Sequence, residues 1–267
     1  MRVFAWLSDI HLDMVSEEVF LQCMKQIRNS DACGVWLTGD IATGRDVDQW
    51  LLRIQKETEL PVYFVLGNHD YYHSCVQDVD TRVGQIASSE SLFWMDAEAP
   101  LWISQTDALV GVGGWGDAKV GDFDTTPIRI NDHRLIADFT DIPRSELKIL
   151  LQERGEKMAS LLNEKLQQCT HAKTIWVLTH VPPFATACWY QGKCGDPAWT
   201  PDFVCASVGE VLQKFATQYS TINIRVLCGH GHNRGYVQVE PNLVVYTAAA
   251  EYSKPVVETF WSIVCGL

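Results

Sequence analysis

The stretch Pro61-Val62-Tyr63-Phe64-Val65-Leu66-Gly67-Asn68-His69-Asp70 runs from an unbroken apolar segment straight into a turn carrying an amide, an imidazole and a carboxylate. An apolar run rich in β-branched and aromatic residues, without polar alternation, is expected of a strand covered on both faces, as in a mostly parallel sheet. Polar groups at the exit of such a strand lie where open α/β sheets bind their ligands, beyond the carboxyl ends.

The same arrangement recurs along the chain. Val3–Ser8 leads into Asp9-Ile10-His11, and Gly34–Thr38 into Gly39-Asp40. Lys173–Thr179 leads into His180, and Ile224–Cys228 into Gly229-His230-Gly231-His232. Between the first three strands, 17–28 and 46–57 carry apolar residues at helical spacing (Phe20, Cys23, Met24, Ile27; Val47, Trp50, Leu51, Ile54), which predicts a βαβαβ opening. Further helices are expected near 76–86, 144–168 and 205–217. The segments 236–239, 243–246 and 256–264 read as antiparallel strands closing the sheet. The expected fold is an α/β sandwich of two sheets flanked by helices.

With 267 residues and 47% hydrophobic content, the chain reads as one domain, 1–267, with two irregular loop insertions at about 111–140 and 182–203. Long irregular loops in a compact domain are commonly functional. A net charge of −12 disfavours binding to long nucleic acid and requires that an anionic substrate be captured locally. The apolar N-terminus stops at Asp9, short of a signal segment or a membrane span, and the nine cysteines are an odd number, so reduced thiols and a cytoplasmic location are expected.

The polar clusters offer hard oxygen and imidazole donors, which suit Mn, Fe or Zn. Asp9 and His11, one residue apart in an extended exit, can face the same ion. The glycines at 229, 231 and 235 are expected to let the backbone turn so that His230 and His232 reach different ions. Asp40 can bridge both ions, and Asn68 offers a neutral amide oxygen. A water activated between the ions is the expected nucleophile. His69 is then placed to protonate or stabilise the leaving oxygen, with Asp70 orienting its ring.

In these clusters, taken in order, the chain resembles the calcineurin-like metallophosphoesterase superfamily: Asp-X-His, Gly-Asp, Gly-Asn-His-Asp/Glu, a lone His and Gly-His-X-His. The resemblance implies a four-layer α/β/β/α sandwich of two mixed sheets and a phosphoesterase with two divalent ions. It further implies one ion held by Asp9, His11, Asp40 and His232, the other by Asp40, Asn68, His180 and His230, and His69 against the phosphate.

Arg129, His133 and Arg134 in one insertion, and Trp189, Tyr190, Lys193 and Trp199 in the other, are the candidate substrate contacts. The cations could neutralise an anionic group and the aromatics could stack on a flat one, as could Tyr71 and Tyr72. Cys188, Cys194 and Cys205 lack the spacing of a closed zinc site. The expected activity is hydrolysis of phosphate mono- or diesters of small soluble molecules. The rival readings are a nucleotide-type phosphodiesterase and a non-catalytic metal-binding scaffold of the same fold.

Overall fold

The computed structural model describes residues 1–87 and 91–264, so Cys265 lies outside the described residues. In chain order the elements are β1 (Arg2–Leu7), α1 (Glu17–Arg28), β2 (Ala32–Thr38), α2 (Val47–Thr58), β3 (Val62–Val65), α3 (Val76–Ala87), β4 (Leu92–Trp94), β5 (Leu101–Trp102) and β6 (Asp107–Gly111). There follow α4 (Asp132–Leu135), α5 (Arg144–Gln167), β7 (Thr174–Leu178), β8 (Trp189–Tyr190), β9 (Lys193–Cys194), α6 (Thr200–Phe203), α7 (Ala206–Gln218), β10 (Asn223–Cys228), β11 (Gly235–Glu240), β12 (Leu243–Thr247) and β13 (Thr259–Ile263).

Two mixed sheets form, in the orders β13-β1-β2-β3-β4 and β11-β12-β10-β7-β6-β5, with β8–β9 a separate hairpin. The expected sandwich is therefore present. Parity along each strand explains the layering, because successive side chains point to opposite faces. In β1, Phe4 and Trp6 enter the layer between the sheets, whereas Ala5 and Leu7 face the helices with Phe20, Met24 and Ile54. In β7, Trp176 and Leu178 point inward, while Ile175 and Val177 meet Leu162 of α5 and Leu212 of α7. The inter-sheet layer is aromatic. Phe4 stacks on Trp36 at 4.6 Å, Trp36 meets Trp176 of the other sheet at 5.2 Å, and Trp176 meets Trp261 at 5.1 Å.

The closing strands differ from expectation. β12 runs parallel to β10 and only β11 is antiparallel to it, while β13 leaves that sheet and pairs antiparallel with β1. A half-buried apolar run has the same pattern in either direction, so pairing partners decided the outcome. Beyond Gly111, which ends β6, the segment to 140 forms no strand. It lays Trp115, Phe123 and Phe139 into the core of the first sheet's helical layer. Buried Lys165 donates its three protons to the backbone carbonyls of Met95, Asp96 and Gly111, fixing α5 to the ends of β4 and β6. Among the described residues no helix is long and apolar enough to cross a membrane.

Trp36 is fully buried at the contact between the sheets. Trp36→Ala is expected to cost about 3–5 kcal/mol, read as a lowered urea midpoint at unchanged slope. A loss under about 1 kcal/mol would show that this layer does not lock the sheets together.

Candidate metal centre

The carboxyl ends of the parallel strands of both sheets open at one place. β1 delivers Asp9 and His11, β2 delivers Asp40, and β3 delivers Asn68 and His69. From the second sheet, β7 delivers His180 and β10 delivers His230 and His232. Hydrogen bonds tie the exits together: Asp9 N donates to Gly39 O at 3.0 Å, His11 N to Asp40 O at 3.1 Å, and Gly229 N to His180 O at 2.9 Å. Two more cross between the sheets, from His230 N to Asp9 Oδ1 at 2.9 Å and from His180 Nδ1 to Thr38 O at 2.8 Å.

Five of the seven expected ligands have left-handed backbones: Asp9 (φ 51°), His11 (40°), Asp40 (50°), His230 (67°) and His232 (54°). Each such residue costs about 1–2 kcal/mol, a strain that clusters at functional sites. The expected role of the glycines in the last cluster is corrected here. Gly229, Gly231 and Gly235 are not the left-handed residues; the histidines between them make the turns. Gly229 and Gly235 are needed for space, since a Cβ at Gly229 would lie 2.0 Å from Asp9 Oδ2 and one at Gly235 would lie 1.8 Å from the Trp189 ring.

Two groups of donors converge, Asp9-His11-Asp40-His232 and Asp40-His180-His230, each with its ligand atoms within 4.8 Å of one another. Asp40 belongs to both. In the first, His11 Nε2 lies 3.2 Å from His232 Nε2, and His232 Nε2 lies 3.4 Å from Asp9 Oδ1. In the second, His180 Nε2 lies 3.3 Å from Asp40 Oδ1, 3.2 Å from His230 Nδ1 and 3.0 Å from Asn68 Oδ1. The tautomers follow from the outer contacts. His180 Nδ1 faces Thr38 O and His230 Nε2 faces Asp202 O at 3.2 Å, so both rings turn bare nitrogens toward each other.

This donor set fits cations. Two facing lone pairs repel, yet two nitrogens bound to one ion at about 2.1 Å each stand about 3 Å apart. Burial holds the imidazoles of His11 and His230 down at about 4 and about 3, and lowers His180 as well, so all three are neutral at pH 7 and free to ligate. Burial, followed by the charges of Asp9 and Asp70, drives the Asp40 carboxyl well above the usual carboxylate range. Asp9 goes the other way: burial opposes ionisation, but the hydrogen bond to His232 and the surrounding histidines hold it low. A buried carboxylate of the Asp40 kind calls for positive charge.

His69 stacks on Tyr72 at 4.2 Å and stands 4.5 Å from the His11 ring. Burial lowers its imidazole to about 2, and Nδ1 is buried without a hydrogen-bond partner among the described residues. Asp70 does not orient this ring, which corrects the expectation. Its carboxylate accepts from the backbone N–H groups of Ile41 (2.8 Å), Ala42 (2.9 Å) and Gly67 (2.8 Å), binding the β2 exit to the β3 exit. Three preplaced amide donors satisfy a buried carboxylate better than one imidazole could.

The groups open into a cleft of about 920 Å³. Arg129, Trp189, Tyr190, Lys193, Trp199 and Tyr72 line it. His133 and Arg134 are not lining residues. The His133 ring packs against Asp202 Oδ1 at 3.1 Å, and Arg134 bonds Asn131 Oδ1. Tyr71 is buried too, its hydroxyl donating to Asp80. The sequence reading missed Tyr252, whose ring lies 4.7 Å from His11 and 5.1 Å from His232. It also missed Asp132, Asp202 and Phe203, the last 4.3 Å from the His230 ring. For Tyr252 a signal was available: it follows Leu243–Thr247, and had that strand been read as parallel, its exit would have pointed to the same place.

Residues 2–234 match the family described as calcineurin-like phosphoesterase. A comparison with curated protein sequences returns no match. Among solved structures, the phosphopantetheinyl hydrolase from Mycobacterium tuberculosis is similar with a TM-score of 0.69 at 14% identity, over 95% of this chain and 90% of that one. A dimetal phosphatase from Danio rerio is similar with a TM-score of 0.55 at 14% identity, over 97% of this chain and 88% of that one. At these identities the likeness is one of fold.

The raised Asp40 carboxyl has a thermodynamic consequence. An unfolded aspartate ionises near 3.8, whereas folded, metal-free Asp40 keeps its proton to higher pH. Between the two, the native state binds more protons, so this residue's contribution to stability falls as pH rises through that window. With chelator at pH 8, Asp40→Asn is expected to melt higher than wild type, by about 2–4 °C per kcal/mol gained. Manganese should then raise the wild-type midpoint and leave that of the variant unchanged. A variant that melts below wild type in chelator would remove the argument for a cation-seeking Asp40.

Proposed function

The chain belongs to the calcineurin-like phosphoesterase family, and on that premise we propose that it is a dinuclear metal-dependent hydrolase of phosphate mono- or diesters carried by small soluble molecules. The observation that carries this reading is Asp40, common to two donor groups that open on one cleft. In the proposed assignment Asp9, His11, Asp40 and His232 hold one ion and Asp40, Asn68, His180 and His230 the other, with Mn, Fe or Zn favoured by the donor types. Two such ions, when bound, would supply Lewis acidity toward an anionic ester and toward water.

The residues divide the remaining work. Asp9 and Asp40 bring negative charge to the ions, and the neutral histidines add donors without cancelling the positive field that an anionic ester needs. His69, neutral and stacked on Tyr72, acts by donating an N–H to a phosphoryl or leaving oxygen rather than as a store of protons. Arg129 is partly committed, since Nη1 donates to Thr126 O and Ile128 O, which leaves Lys193 as the freer cation on the wall.

A cleft of about 920 Å³ is much larger than a phosphate and of a size that takes a nucleotide-like molecule. Tyr190 and Trp199 are 62% and 42% exposed on its wall, which favours a second reading, a phosphodiesterase for substrates with a flat group. We read residues 1–267 as one working unit in which 111–140 and 182–203 select the substrate. Eight described cysteines without disulfides support a cytoplasmic setting, and the charge of −12 argues against long nucleic acid.

Elemental analysis of the purified protein, with turnover of an aryl phosphate monoester and a bis-aryl phosphodiester in the presence of manganese, tests the proposal. About two ions per chain and metal-dependent turnover are expected. Loss of His232 removes transition-state stabilisation of several kcal/mol, so at 1.36 kcal/mol per tenfold His232→Ala should lose roughly a hundredfold or more in rate while remaining folded. Metal-free protein without turnover under all conditions would leave the scaffold reading.

A further inference from the structure

Asn68 can serve an ion only through its amide oxygen, and nothing in the amide itself selects that face. The structure selects it from outside. Buried Asp132, in the first turn of α4, accepts at Oδ1 from Asn68 Nδ2 at 2.8 Å and from the Tyr72 hydroxyl at 2.7 Å. Asn68 Nδ2 also lies 3.3 Å from the Tyr72 oxygen. The three groups thus close a triangle in which the amide nitrogen and the phenol both donate to one carboxylate oxygen. A flipped amide would set its oxygen against the Asp132 carboxylate, so Oδ1 is held toward His180 Nε2, 3.0 Å away.

The same carboxylate reaches His69. Tyr72, whose hydroxyl it holds, carries the ring on which His69 stacks at 4.2 Å and 29°. Asp132 is itself placed by backbone bonds to that turn, from His73 N to Leu135 O at 2.7 Å and from Ala137 N to Ser74 O at 3.0 Å. Segment 111–140 is therefore fastened beside the residues it orients.

We propose that Asp132 is the positioning residue of this centre, fixing Asn68 with its oxygen inward and, through Tyr72, setting the plane of the His69 ring. The inference rests on the dinuclear reading above. It predicts separable effects, because one arm ends on a ligand and the other on a leaving-group contact.

The test is stepwise calorimetric titration of chelated protein with manganese, alongside kcat for a series of aryl phosphates of graded leaving-group pKa. Asp132→Ala should weaken one of the two binding steps about ten- to hundredfold and leave the other within about twofold. Tyr72→Phe should keep both steps near wild type and lower kcat more for poor leaving groups than for good ones. Where Asp132→Ala proves too unstable to purify, Asp132→Asn is read instead, with a weakening of about fivefold or more expected at the same step. Wild-type affinities and an unchanged leaving-group dependence in a folded Asp132 variant overturn the inference alone. Wild-type protein that takes up fewer than two ions overturns the dinuclear reading and this inference together.

Discussion

The face-to-face packing of two mostly parallel sheets through a layer of large aromatics is the constraint on which the site depends. Phe4, Trp36, Trp176 and Trp261 fill that layer, and their contacts set how the carboxyl ends of β1, β2 and β3 meet those of β7 and β10. Each donor group contains residues from both sheets: His232 joins Asp9, His11 and Asp40, and His180 and His230 join Asp40. Neither sheet alone holds a complete set. The His180–Thr38 and His230–Asp9 hydrogen bonds finish at the rim what the aromatic layer begins in the core.

At this junction the chain accepts several local costs together. Five left-handed candidate ligands, a buried carboxylate crowded by others, and facing imidazole nitrogens are each unfavourable in isolation. The surroundings hold them with ordinary means: Asp70 gathers three backbone N–H groups, Asp202 O receives His230, and Thr38 O receives His180. The strain is thus carried by many satisfied backbone groups around a few frustrated side chains.

Much of the arrangement was legible in the sequence because it is written locally. An apolar run that ends in Asp9, Asp40 or Asn68 states both its strand and its candidate ligand within about ten residues. What was not legible depended on partners far along the chain. The direction of β12 and the sheet to which β13 belongs are matters of pairing, and misreading β12 hid Tyr252. The short strands β4 and β5 carry too few residues for a period to emerge. Asp70 was assigned to the neighbouring ring because the amides that bind it, of Ile41 and Ala42, follow a different strand. Asp132 and Asp202 sit in segments without periodicity, and only their contacts show that they support Asn68 and His230.

The 3.2 Å approach of His11 to His232 joins residues separated by 221 positions. Such a contact forms only after most of the chain is in place, because closing long loops delays non-local pairing. Ions held between groups so far apart would therefore bind a largely completed fold. Binding the finished molecule and not the open chain, they would lengthen the lifetime of the native state and leave the rate of its formation to the contacts made before the site closes.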